Sequence, residues 1–129
     1  LACPEFVPLI ESGHISADDP LLTAAVERAL APLKARQPGT LLLGCTHYGI
    51  VGDAISAYLG RDVRLVSASE CAASEMRDRP VSSGMTGGEG RTQYLTSGSA
   101  EDFSKVASVI LGMDDIRAEH IPQMEVEYI

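Results

Sequence analysis

The chain has 129 residues, 45% of them hydrophobic, with a formal net charge of -8 and a sequence pI near 4.7. That length fits one average domain or a piece of a larger protein. Direct nucleic-acid contact is not expected, because the chain has no basic run and such contacts use clustered Lys and Arg. Nor is a membrane span expected, since no apolar stretch nears the roughly 20 residues one requires.

In chain order the pattern reads as four β/α alternations. Phe6-Val7-Pro8-Leu9-Ile10 is short and apolar and reads as a first strand, which puts Glu11 near a strand end. Ser16, Asp18 and Asp19 are N-cap candidates, and Pro20 suits a first helical turn. Leu21, Leu22, Ala25, Val26, Ala29, Leu30 and Leu33 then recur at helical spacing, with Pro32 expected to kink or end the helix. Thr40 to Leu43 is the next strand. Ile50, Val51, Ala54, Ile55, Tyr58 and Leu59 make a second helical face, closed by Gly60. Val63 to Ser67 is a short strand, and Ser69 to Arg77 reads as a helix with Ala72, Ala73 and Met76 inward. Arg79 to Arg91, which holds Pro80, Gly84, Gly87, Gly88 and Gly90, is a linker or crossover. Tyr94-Leu95-Thr96 is a weak strand. Ser99 can cap a helix bearing Phe103, Val106, Ala107, Ile110 and Leu111, which Gly112 stops. Ile116 to Ile121 alternates like an exposed edge strand. Strands alternating with helices imply an α/β fold with a parallel sheet covered on both faces and right-handed crossovers.

Three cysteines, at positions 3, 45 and 71, are an odd count. They argue against a disulfide framework and for a reducing compartment, the cytoplasm. The start Leu1-Ala2-Cys3-Pro4 has no basic segment before an apolar one, so no signal peptide is expected, and the missing initiator Met suggests a mature or cut chain.

The chemistry gathers at Leu41-Leu42-Leu43-Gly44-Cys45-Thr46-His47-Tyr48. A continuous apolar run reads as a buried parallel strand, and ligands of open α/β sheets bind beyond the carboxyl ends of strands. Gly44 lets backbone approach a ligand. Thr46 offers a hydroxyl and an amide near an expected helix start, which favours a carboxylate. His47 can stabilise a thiolate or pass a proton, and a helix start lowers a thiol pKa further. The plainer reading of Cys45 is a small core residue. For Glu11 it is a solvated acid. Cys3 and Cys71 read as core residues, and His14 and His120 as surface residues. A zinc site through Cys45 and His47 finds no paired third and fourth ligand, so no metal is expected. Pyridoxal phosphate is not expected either, because Lys34 and Lys105 both fall inside helices.

These residues resemble the glutamate racemases of the aspartate/glutamate racemase family, along almost the whole chain. Gly44-Cys45-Thr46-His47-Tyr48 is similar to the family's second catalytic-cysteine motif. Leu1-Ala2-Cys3-Pro4 with Phe6 to Ser12 is similar to the segment that carries its active-site glutamate. Val63 to Ala68 resembles the strand that follows. Tyr94 to Gly98 with Phe103 and Leu111-Gly112 resembles its C-terminal strand and helix. The related aspartate racemases carry another residue where His47 stands, and the family usually has proline where this chain has Gly49.

The resemblance implies a parallel-sheet sandwich of the aspartate/glutamate racemase type, incomplete in this chain. Residues 1–78 would be part of the second α/β domain and carry the cysteine motif. Residues 79–91 would be a Gly/Ser-rich linker, and residues 92–129 a strand-helix-strand returning to the first domain. It implies cofactor-independent interconversion of L- and D-glutamate by two cysteines on opposite faces of the α-carbon, supplying D-glutamate for peptidoglycan synthesis, cell wall biogenesis and cell shape. Cys45 would be one base, assisted by His47; Thr46, with His47, would bind substrate, and Glu11 would support the site. The first cysteine motif has no counterpart here, so the expected partners are glutamate and the N-terminal portion of the same protein, with room for a homodimer. This chain alone is expected to be inactive. Two other readings stay open: a non-catalytic binding or regulatory module built on half of the fold, and a racemase for another amino acid such as aspartate.

Overall fold

The computed structural model describes residues 1–79 and 90–122 and divides into two compact units, Leu1–Pro80 and Val81–Ile129. The first unit runs α1 (Phe6–Glu11), α2 (Pro20–Lys34), β1 (Thr40–Leu43), α3 (Gly52–Leu59), β2 (Arg64–Ser67) and α4 (Ala68–Asp78). The second runs β3 (Tyr94–Thr96), α5 (Ala100–Leu111) and β4 (Ala118–His120).

The segment expected as a first strand is a helix instead. Phe6 and Ile10 stand four apart, so a helical turn puts both on one face, and both are buried. Pro8 falls in the first turn, where a helix has no use for its missing N–H. Glu11 is therefore the last residue of a short helix, and the alternation begins on a helix rather than a strand.

Helix α2 follows its expected signals. Asp19 is the N-cap, its carboxylate accepting the Leu21 and Leu22 amides, and Pro20 opens the helix. His14 Nδ1 stands 2.9 Å from the same carboxylate, so His14 is paired rather than a free surface residue. That hydrogen bond, with the Leu22 amide next, holds the Asp19 carboxyl below its usual range. Leu22, Ala25, Val26 and Leu30 are buried, while Leu21 points outward. Pro32 does not stop the helix at once; it ends at Lys34.

Strands β1 and β2 pair in parallel from Thr40↔Arg64 to Leu43↔Ser67. Helix α3 packs on α2 and buries Ala54 and Ile55. Phe6, Ile10, Leu22, Val26, Val51 and Ile55 are the largest fully buried side chains. Helix α4 departs from expectation. It forms, capped by the Ser67 hydroxyl, but Ala72, Ala73 and Met76 are exposed rather than inward, and Cys71 is exposed rather than in the core. The reason is the narrow sheet: α4 meets β2 at its start, and beyond it no strand of this unit runs beneath the helix.

In the second unit β3 and β4 pair in parallel, so β4 is the expected edge strand, shortened to three residues. Ser99 caps α5, and Gly112 ends it in the left-handed region, which costs glycine no Cβ clash. Tyr94, Phe103, Val106, Ala107, Ile110 and Leu111 line a groove that is almost wholly apolar. Among the described residues the strands form two parallel pairs, β1–β2 in the first unit and β3–β4 in the second. Of the expected 79–91 linker, residues 80–89 lie outside the described residues.

Candidate functional site

The site gathers at the carboxyl end of β1, where the first unit brings the motif and α1 together. Strand β1 ends at Leu43, which is buried and anchors the turn behind it. Gly44 and Cys45 leave the strand, and residues 46–51 wind through successive turns before α3 begins at Gly52. Those turns are closed by the amides of Tyr48, Ile50 and Gly52, donating to the carbonyls of Cys45, His47 and Gly49. This corrects one expectation: Thr46 is not at a helix start. The backbone there is a turn, and the N-terminus of α3 lies six residues on, so helix-dipole support for a thiolate or a carboxylate at Thr46 is absent.

The structure brings together three of the residues that the sequence singled out, Glu11, His47 and Thr46. His47 Nε2 stands 3.2 Å from Glu11 Oε1, across 36 positions of sequence. His47 Nδ1 lies 3.5 Å from Thr46 Oγ1, a long contact. The imidazole is thus oriented at one nitrogen by a carboxylate, which is how a carboxylate fixes tautomer and ring direction. His47 is the more enclosed partner, at 28% side-chain exposure against 44% for Glu11. Cys45 is half-buried, Cys3 buried and Cys71 exposed. Because Glu11 ends α1 rather than a strand, its carboxylate reaches the site from the end of a helix whose other face is locked into the core by Phe6 and Ile10.

One member of the arrangement was not legible from spacing. Tyr48 Oη donates to the Cys3 carbonyl at 3.2 Å, and its ring meets Phe6 edge-on with centroids 5.3 Å apart. The cysteine turn is thereby clamped to the segment that leads into α1 and Glu11. Burial raises the Tyr48 phenol above its ordinary pKa, and charge on Cys3 or Cys45 would raise it further, so the hydroxyl stays a donor. Burial likewise raises the Cys3 thiol, which fits a packing role. The only sequence signal for this clamp is that Tyr48 adjoins His47.

Tyr48→Phe removes one hydrogen bond and keeps the ring. The Cys3 carbonyl retains the Phe6 amide as a donor, so the expected loss is about 1 kcal/mol. It should appear as a lower urea midpoint at unchanged slope; an unchanged midpoint would show that the clamp contributes nothing to stability.

Among the described residues, no group of three or more His, Cys, Asp or Glu is placed to hold a metal ion. Among them too, no helix is long and apolar enough to cross a membrane.

An α/β chain with small parallel strand pairs is the class that the geometry defines, and solved glutamate racemase structures share that fold over part of their length. The chain aligns with glutamate racemase from Thermus thermophilus, solved in complex with β-chloro-D-alanine, at 34% identity and TM-score 0.71. The match covers 94% of this chain and 46% of that one. It aligns with the glutamate racemase isoform RacE1 from Bacillus anthracis at 28% identity and TM-score 0.70, covering 96% and 46%. Among curated proteins, a glutamate racemase of Thermoanaerobacter sp. is 30% identical over 128 residues, which is 98% of this chain and 47% of the relative. That of Listeria innocua is 34% identical over 124 residues, 94% of this chain and 46% of the relative. No protein-family model matches the chain. The chain is thus similar to glutamate racemases along nearly its whole length; it spans about half the length of the curated relatives it matches, and a C-terminal portion fits.

Proposed function

We propose that this chain is the C-terminal portion of a glutamate racemase, a cofactor-independent isomerase of the cytoplasm that supplies D-glutamate for peptidoglycan. The observation that carries the reading is the 3.2 Å contact between Glu11 and His47, two residues after Cys45, which joins two segments far apart in sequence.

Racemisation needs the α-hydrogen to leave one face of the α-carbon and a proton to arrive on the other. In this reading the Cys45 thiolate takes the α-proton from one enantiomer, breaking the C–H bond and forming S–H. The electron pair stays on the α-carbon, delocalised into the substrate carboxylate. A second thiol, supplied by the portion of the protein outside this chain, gives its proton to the opposite face and becomes the thiolate. The reverse reaction exchanges the two roles, so no oxidant, reductant or cofactor is consumed. Thr46 holds the substrate carboxylate through its hydroxyl and its own backbone amide. His47, oriented by Glu11, keeps the thiol of Cys45 in proton balance. A thiolate is a weak base for such a hydrogen, so positioning and electrostatic stabilisation must supply much of the rate.

The test is circular dichroism of D-glutamate and of D-aspartate incubated with the complete protein. The glutamate signal should decay to zero and the aspartate signal should persist. Decay of aspartate alone would reassign the substrate. Persistence of both with a folded protein would favour a binding or regulatory module.

A further inference from the structure

The turn that carries Cys45 is held on two sides. Tyr48 ties one side to Cys3. On the other, Gly49 lies against Ser67, so closely that a Cβ added at Gly49 would sit 2.8 Å from the Ser67 hydroxyl oxygen. Side chains do not approach that closely, so either the hydroxyl or the turn would have to move.

Ser67 is poorly placed to give way. It is 3% exposed, a buried polar residue in a core of apolar ones. Its hydroxyl accepts the Glu70 amide at 3.4 Å and caps α4. Its backbone pairs with Leu43, two residues before Cys45, at the last rung of the β1–β2 ladder. Displacing the hydroxyl would uncap α4; moving the turn instead would shift the segment between β1 and α3 that presents Cys45, Thr46 and His47. A β2 residue that also starts α4 is thus in contact with the turn of the site.

We propose that Ser67 is a positioning residue for the Cys45–His47 turn, and that Gly49 is the gap which admits its hydroxyl. The inference deepens the racemase reading of the same site and takes from it the role of Cys45.

The experiment measures iodoacetamide labelling of each thiol by mass spectrometry across a pH series in the complete protein. Added glutathione is the reference thiol, because Cys71 rides on the helix that Ser67 caps, and Cys3, buried, reports whether the fold is intact. In Gly49→Ala the Cys45/glutathione rate ratio should change by about fivefold or more, with its pH midpoint displaced, because contacting residues couple. Ser67→Ala added to Gly49→Ala should bring the ratio and midpoint back to within about twofold of Ser67→Ala alone, because the remaining Ser67 Cβ contact, at 3.7 Å, is ordinary. An unchanged ratio in Gly49→Ala with Cys3 still protected would overturn the proposal. So would a double variant as perturbed as Gly49→Ala. Should Gly49→Ala expose Cys3, the double variant decides: renewed protection with a restored ratio supports the proposal, and continued labelling of Cys3 overturns it. The racemase reading fails on a different result, the absence of glutamate racemisation by the unsubstituted protein.

Discussion

Cys45→Ser in the complete protein should abolish glutamate racemisation, with a fall of at least about 100-fold, the low end of what a positioned acid/base group contributes. The half-buried thiol at the end of β1 is the candidate base for one face of the α-carbon. A serine hydroxyl has the same shape and is far too weak an acid to stand in as a thiolate. The loss should also be one-sided. A glutamate analogue with a leaving group at the β-carbon can eliminate after a single deprotonation, and the enantiomer that faces the other base should still be consumed by Cys45→Ser. Racemisation retained within about tenfold, roughly 1.4 kcal/mol in barrier, would show that Cys45 is not a base in the reaction. Measuring both reactions on one preparation separates lost chemistry from a lost fold.

The second large effect is expected of the 129-residue chain by itself. It should show no measurable racemisation of glutamate, because the proposed mechanism needs a base on each face and the site presents one. Cys3 is buried behind Tyr48, and Cys71 is exposed on α4, so neither replaces the missing thiol. The chain should also self-associate. Leu42 on β1 is 68% exposed and Met76 on α4 is 76% exposed, α4 buries no residue, and α5 presents an apolar groove. Exposed strand edges and apolar patches favour association. Sedimentation should show species larger than a monomer, and polarimetry should show a constant D-glutamate signal. Racemisation by this chain that depends on Cys45 would contradict the two-base mechanism.

Much of this was legible in the sequence, for local reasons. The cap at Asp19 with Pro20, the apolar run from Thr40 to Leu43 and the Ser99-to-Gly112 helix each follow from nearby residues, and each stands where the pattern puts it. The misreadings have physical causes too. Phe6 to Ile10 is too short for a period to distinguish strand from helix, and burial of Phe6 and Ile10 decided for the helix. Ala72, Ala73 and Met76 have the spacing of an inward face, but a face is buried only when something covers it, and spacing does not report that. The interval between Cys45 and α3 looked like a helix start because Ile50 and Val51 continue the period of Ala54 and Ile55, yet the backbone turns there first. Cys45, Thr46 and His47 stood out because a thiol, a hydroxyl and an imidazole at a strand end are local features. The resemblance put Glu11 at the site but did not pair it with His47, and the Glu11–His47, Tyr48–Cys3 and Gly49–Ser67 contacts had no local signal, since each depends on segments that meet only in the fold.

The central claim, that Cys45 is one of two bases acting on opposite faces of a glutamate α-carbon, is tested most directly by proton exchange. The complete protein is incubated with L-glutamate in deuterium oxide, and the α-position is read by nuclear magnetic resonance and mass spectrometry early in the reaction, with the enantiomers separated. Two bases predict deuterium at the α-carbon of the D-glutamate formed and protium in the L-glutamate that remains, because the proton removed on one face is not the one delivered on the other. Equal deuterium in both enantiomers from the start, or D-glutamate that retains protium, would contradict the account.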